Sequence, residues 1–174
     1  MSNRRHFYAW APYGRRSESL ANKLDAELHF IHYLKFQNPI YAPLKYILQG
    51  IKTHFILLTQ QPAVVFIQNP PIFCSLSVYI HSLFFGTKFV LDHHSDVFSD
   101  RWNWIGKLQR YLVRKAALNL VTNDHLLNTI ESWGGKGMIL EDALPEFPEV
   151  EPYPVRDGTC VVMVNTFAPD EPLA

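Results

Sequence analysis

Short apolar runs alternate with longer segments of helical periodicity along residues 1–140. Runs rich in β-branched and aromatic side chains predict strands, and apolar positions three or four apart predict helices. The predicted strands are 6–11, 27–32, 63–68, 88–91, 118–122 and 137–140. The predicted helices are 17–24, 43–59, 72–85, 102–117 and 124–133.

This alternation of strand and helix predicts a Rossmann-like, doubly wound α/β domain with a mostly parallel sheet and helices on both faces. The run 63–68 is continuously apolar, as is typical of a strand covered on both faces. The segment 72–85 is apolar nearly all round, which predicts a deeply packed helix.

A change of composition after residue 140 predicts the end of this domain. Residues 141–156 contain four prolines and five acidic residues, so we interpret 141–158 as a linker. Residues 159–174 begin with an apolar run that resembles one more buried strand without its crossover helix. We therefore expect them to be the first strand of a truncated second domain.

Composition narrows the classes of partner only slightly. Lysine plus arginine and aspartate plus glutamate both number 16, so net charge gives no reason to expect a nucleic-acid partner. Cys74 and Cys160 lie far apart in apolar runs and are expected to be reduced core thiols. The polar segment 1–5 does not resemble a signal peptide, and no apolar run is long enough to cross a bilayer. We therefore expect a cytoplasmic protein, at most peripheral at the inner membrane face.

Two loops at predicted carboxyl ends of strands carry candidate ligand-binding groups. In the first loop, Gly14, Arg15 and Arg16 precede a helix and could bind a phosphate through backbone amides and guanidinium groups. A tight turn with solvated arginines is the alternative. In the second loop, Asn69 could bind a hydroxyl-rich ligand, although a cap on the helix near Pro71 is the favoured interpretation.

A third loop is the most informative, because residues 92–96 hold four ionisable groups in five positions. Histidine can carry a proton, ligate a metal or donate a hydrogen bond to a sugar oxygen. The alternative is that Asp92 caps the loop and both His93 and His94 face solvent. We favour the functional interpretation, because clusters of ionisable groups mark functional loops.

A basic helix face is a further candidate. Lys107, Arg110 and Arg114 share one face of the helix predicted from Trp102 onward, close to Trp104. Basic side chains beside tryptophans can rest on an anionic membrane. An ordinary solvated face is the favoured interpretation, because the tryptophans are not on that face.

Several of these segments together resemble the N-terminal domain of GT-B glycosyltransferases, most closely the large retaining family GT4. The resemblance rests on the loop 13–16, on 64–71, on Val-Leu-Asp-His-His-Ser at 90–95, on 120–123 and on Trp-Gly-Gly at 133–135. It implies an acceptor-binding domain whose partner domain binds a nucleotide sugar, with neither a metal nor a cofactor. It also implies that His94, or else His93, contacts the donor sugar.

The predicted site therefore has two catalytic residues and seven binding residues. These are His94 and His93, with Gly14, Arg15, Arg16, Asn69, Asp92, Ser95 and Asp96. The resemblance implies transfer of a sugar, with retention, to a sugar or lipid-linked acceptor. It further implies that the chain is inactive until a C-terminal donor domain or a partner chain completes the site.

Two other functions remain open at this point. Asp92-His93-His94 also resembles the motif of DHH-type metal-dependent phosphoesterases, although no Asp-x-Asp precedes it. A non-catalytic sugar-binding or scaffold domain is the other alternative.

Overall fold

The computed structural model describes residues 4–33, 39–98 and 104–141. These residues belong to one compact unit, Met1–Ala143, and a second unit, Leu144–Ala174, lies outside the described residues. Also outside the described residues are the predicted linker beyond Glu141 and the predicted strand 159–174 with Cys160. Trp102 lies outside them too, in the gap 99–103.

Six strands form one parallel sheet, which confirms the predicted Rossmann-like fold class. The strands are β1 Arg5–Ala9, β2 Glu27–Phe30, β3 Val64–Asn69, β4 Lys88–His93, β5 Leu118–Val121 and β6 Gly137–Ile139. Their order across the sheet is β2-β1-β3-β4-β5-β6.

Five α-helices connect these strands. They are α1 Arg15–Lys23, α2 Ala42–Gln60, α3 Ile72–Phe85, α4 Gly106–Lys115 and α5 Asp124–Ser132. Short 3₁₀ helices at Pro39–Tyr41 and Ser95–Phe98 precede α2 and follow β4.

The helices cover both faces of the sheet because successive side chains of a strand point to opposite faces. Phe7 of β1 packs with Leu20 and Ala21 of α1, and we call this face the α1 side. Tyr8 belongs to the larger core, which includes buried residues of α2, α3, α4 and α5. We call that face the α2 side.

β4 is longer than the sequence predicted. The sequence predicts a polar loop at Asp92 and His93, but both residues pair with β3, at Gln68 and Asn69, and are fully buried. Both side chains have polar partners at the end of the sheet, so the strand continues through two residues that would otherwise end it. The α4 helix is shorter than predicted and begins at Gly106.

The prediction that the segment 72–85 is deeply packed is wrong for its carboxyl-terminal part. Cys74 and Val78 of α3 are buried in the core, whereas Leu83 and Phe84 are 62% and 78% exposed. A helix in the outer layer contacts the sheet along one side only, so a helix that is apolar all round leaves apolar side chains in solvent. No described helix combines the length and the hydropathy that crossing a membrane requires.

Candidate functional site

The order of the strands places a topological switch point between β1 and β3. The connection from β1 leads to β2 on one side, and the next connection returns past β1 to β3. Loops that leave neighbouring strands in opposite directions open a crevice at the carboxyl edge of the sheet, where ligands of such folds bind. The candidate residues after β1, β3 and β4 all lie at this edge.

The turn after β1 approaches β3 closely at Gly14. Gly14 is the N-cap residue of α1, and a Cβ atom there would lie 3.0 Å from Oε1 of Gln68 and 3.2 Å from Oγ of Ser17. Ser17 Oγ donates a hydrogen bond of 2.8 Å to the same Gln68 oxygen. A residue without a side chain thus allows α1 to begin against the end of β3.

Arg16 forms a buried ion pair with Asp92 on the α1 side. Its Nε lies 2.9 Å and 3.1 Å from the two carboxylate oxygens, and a terminal nitrogen lies 2.9 Å from one of them. The guanidinium also donates to the carbonyl oxygen of Leu140, just beyond β6. The Asp92 side chain is fully buried and that of Arg16 is 10% exposed. Arg16 therefore links α1 to the ends of β4 and β6.

This pair corrects one interpretation made from the sequence. Arg16 is not a solvated cation, because its side chain is mostly buried and donates hydrogen bonds to the buried Asp92 carboxylate. Arg15, the first residue of α1, is exposed.

His94 lies directly beyond β4, at the open edge of the site. Its backbone N–H donates to the carbonyl oxygen of Asn69, at 2.8 Å, which continues the ladder between β3 and β4 by one residue. The side chain is 34% exposed, and Nε2 lies 3.9 Å from Oδ2 of Asp92. That distance is too long for a hydrogen bond, and Nε2 has no hydrogen-bond partner among the described residues.

His93 points to the opposite side of the sheet, into the core. Its Nε2 lies 2.9 Å from Oδ1 of Asn119 in β5, and its Nδ1 lies 3.2 Å from Nδ2 of Asn69 in β3. Asn119 Nδ2 donates to the carbonyl oxygens of Val113 and Lys136. A polar chain thus crosses three strands within the α2-side core.

These contacts determine the tautomer of His93. Both described hydrogen bonds of the Asn119 amide nitrogen go to carbonyl oxygens, so its Oδ1 accepts from His93 Nε2–H. Nδ1 then carries no proton and accepts from the Asn69 amide. Burial lowers the pKa of His93 to about 4, although the hydrogen bond to Asn119 acts in the opposite direction. His93 is therefore neutral at physiological pH.

Asn69 does not cap α3, so the interpretation favoured from the sequence is wrong. The N-cap residue of α3 is Pro71, and no side chain accepts a capping hydrogen bond there. The Asn69 side chain is fully buried and donates to His93 instead. Its Oδ1 has no hydrogen-bond partner among the described residues.

The other predicted residues add little to this geometry. Ser95 and Asp96 lie in the 3₁₀ helix Ser95–Phe98, but their side chains lie outside the described part of the structure. Lys107, Arg110 and Arg114 are exposed on α4.

One cluster in the described residues could hold a cation, and it lies away from the carboxyl edge. His6 of β1 and Glu27 and His29 of β2 offer donor atoms within 4.8 Å of one another. His29 Nε2 lies 3.2 Å from His6 Nδ1, which is also 3.2 Å from the Tyr8 hydroxyl. Burial lowers the pKa of His6 to about 4 and also lowers that of His29. As it stands, the cluster is a network of neutral side chains beside one exposed carboxylate.

Reasoning from the sequence missed Ser17, Gln68 and Asn119 as members of the site. Asn119 had the clearest signal, because it is a lone amide in an apolar central strand and needs a buried partner. Ser17 had no comparable signal, since serine is common in the first turn of a helix.

No family model matches the chain. A search of curated proteins also found no match.

Proposed function

We propose that this chain is the acceptor-side half of a glycosyltransferase, which transfers a sugar from a nucleotide sugar to an acceptor with retention. The observation that carries the proposal is the position of His94. It is a partly exposed imidazole at the carboxyl edge, and its inner nitrogen faces Asp92 without a hydrogen bond. The resemblance described above adds the reaction class.

In this proposal His94 is the residue that contacts the donor sugar. During transfer, the bond between the anomeric carbon and the diphosphate oxygen breaks, and a bond to an acceptor hydroxyl forms on the same face. The hydroxyl proton passes to the departing diphosphate. A polar contact from the imidazole would strengthen as charge develops in the transition state.

Asp92 and Arg16 are positioning residues in the same proposal. The distance of 3.9 Å between Asp92 and His94 Nε2 is of the kind that shortens when a ligand engages a catalytic side chain. Arg16 holds the carboxylate in place through hydrogen bonds to both of its oxygens. In this proposal, α1 and β4 together hold the carboxylate that would orient the imidazole once this distance shortens.

The geometry disfavours a DHH-type phosphoesterase. That function would use Asp92 and the following histidines as metal ligands. Both ring nitrogens of His93 are already hydrogen-bonded to asparagine side chains, and the Asp92 carboxylate is paired with Arg16. Metal binding by His93 would require the asparagine contact of the ligating nitrogen to break within the core.

The test is transfer by the complete enzyme, in which the donor half is supplied by a continuation of this polypeptide or by a partner chain. A panel of labelled nucleotide sugars is offered with native glycolipid acceptors, and nucleoside diphosphate release is followed. We expect His94→Ala to lower turnover by about 10²-fold or more, the scale for losing one preorganised polar contact. The isolated chain is expected to show no transfer.

His32→Ala is the matched control, because His32 is exposed beyond β2, three strands away from β4. Its turnover should equal that of the unaltered enzyme. Full activity in His94→Ala would refute the assigned role of His94. The absence of transfer from any nucleotide sugar by the complete, folded enzyme would refute the proposed function.

A further inference from the structure

The outward side of α2 is apolar along its whole length. Five of its side chains, spaced three or four residues apart, are between 51% and 62% exposed: Leu44, Ile47, Ile51, Phe55 and Leu58. Lys45, Gln49, Thr53, Ile56 and Leu57 are the buried residues of the same helix. The helix has 19 residues and is thus about 28 Å long. The five exposed side chains form an apolar stripe that runs along most of this length.

The apolar stripe continues onto the neighbouring helix α3. Tyr46 of α2 and Phe73 of α3 are in ring contact, with centroids 4.7 Å apart, so the two helices lie side by side. Ile80, Leu83 and Phe84 of α3 are exposed. Large groups of exposed apolar side chains on neighbouring helices are uncommon in soluble monomers and mark interaction sites.

Aromatic residues lie at the end of the stripe nearest the carboxyl edge. Tyr41 directly precedes α2 and is 42% exposed, and Trp104 is 72% exposed. Trp104 lies beside Phe73, with ring centroids 6.3 Å apart. Tryptophan and tyrosine are the residues that favour the boundary between hydrocarbon and water.

Every formal charge on α2, α3 and α4 is positive. These helices contain two, none and four lysine or arginine residues respectively, and no aspartate or glutamate. Five of these cations are exposed: Lys52, Lys107, Arg110, Arg114 and Lys115. The fourth helix of the same layer, α5, carries Asp124 and Glu131, so the positive charge is confined to α2 and α4.

We propose that this layer docks the protein on the surface of an anionic phospholipid bilayer. The docking surface consists of the exposed apolar residues of α2 and α3 together with the exposed cations of α2 and α4. Apolar side chains would enter the interfacial region, and the cations would contact lipid phosphates. This is the combination by which helices bind in the plane of a membrane without crossing it.

The charge distribution favours a bilayer over a second copy of the chain. A symmetric dimer through α2, α3 and α4 would bring two positively charged surfaces together, with no carboxylate on these three helices to neutralise them. An anionic lipid surface supplies the missing negative charge.

This proposal does not require the sugar-transfer proposal, since binding to lipid needs no donor. If both hold, the docked surface brings the carboxyl edge close to lipid-linked acceptors, a consequence that rests on the proposed function.

The experiment is flotation of the purified full chain with vesicles. Phosphatidylcholine vesicles that contain phosphatidylglycerol should bind the chain, and pure phosphatidylcholine vesicles should bind it far less. Ile51→Gln/Phe55→Gln/Phe84→Gln should lower the partition coefficient more than tenfold. Lys52→Gln, Lys107→Gln and Arg110→Gln should each lower it about fivefold, and added salt should weaken binding.

The controls use comparable residues away from this layer. Met138→Gln removes a partly exposed apolar side chain from β6, and Lys23→Gln removes an exposed cation from α1. Both should bind vesicles as the unaltered chain does, and circular dichroism verifies that every variant is folded. Equal binding to neutral and anionic vesicles would overturn the proposal. So would a dimer in lipid-free buffer that the apolar triple variant dissociates, because it would identify a second copy as the partner.

Discussion

On the side of the sheet covered by α1, the carboxyl edge holds opposite charges and a partly exposed imidazole. On the α2 side, the same edge holds a chain of neutral amides and a neutral imidazole. His93 and His94 are neighbours in sequence, yet they belong to these two different regions because successive strand residues point to opposite faces. Two residues of the same type therefore have different roles, because the side chains that they contact on the two faces differ.

The largest change in the free energy of unfolding should come from removing the ion pair between Arg16 and Asp92. Arg16→Met removes the guanidinium that donates to the buried Asp92 carboxylate, which is expected to lower the free energy of unfolding by about 3–5 kcal/mol. Arg15→Met is the matched control, since Arg15 is exposed, and it should change that free energy by less than about 0.5 kcal/mol. Urea denaturation measures both.

A second variant separates the lost charge pairing from lost packing. Arg16→Met/Asp92→Asn removes both charges and should recover much of the lost stability. The ion pair would have no structural importance if Arg16→Met were as stable as Arg15→Met.

The next largest effect on the free energy of unfolding should come from acid acting on each neutral buried histidine, His6 or His93, taken singly. His6 and His93 have pKa values of about 4 in the folded chain and about 6.5 when unfolded, so the unfolded state binds more protons between these values. Stability is therefore fully present above about pH 6.5 and falls as the pH drops towards about 4. Each histidine should contribute about 3 kcal/mol to this fall, measured by urea titrations across the range.

His93→Gln and His6→Gln identify the groups responsible. Each variant should reduce the dependence of stability on pH, because glutamine does not titrate. An unchanged dependence in both variants would contradict neutral burial of these rings.

The smallest effect should be that of His94 on stability. His94→Ala removes a partly exposed ring that makes no hydrogen bond in the described structure, so the free energy of unfolding should change by less than about 0.5 kcal/mol. Thermal unfolding beside the unaltered chain checks this. If the free energy of unfolding fell by several kcal/mol instead, His94 would have a role in stability like that of the buried His93.

The fold could be predicted from the sequence because its signals are local. Apolar strand runs such as 63–68, and helical spacing between them, specify the number and order of elements. The bounds of α3 were predicted at both ends, since Pro71 precedes the helix and Gly86 follows it with a φ of 67°. The end of β4 could not be predicted in this way, because Asp92 and His93 are polar residues whose strand conformation depends on partners elsewhere in the chain.

The sequence by itself also determined which loops carry the candidate residues, since these loops follow the predicted strands. Only the tertiary structure decided what each side chain contacts. Arg16 and Asp92 are separated by 76 positions, and no local pattern reports their pairing. The same holds for the exposure of α3, because periodicity shows that a helix is apolar but not how many neighbours cover it. Burial and pairing are properties of the packed layers, and they are decided only when distant segments meet.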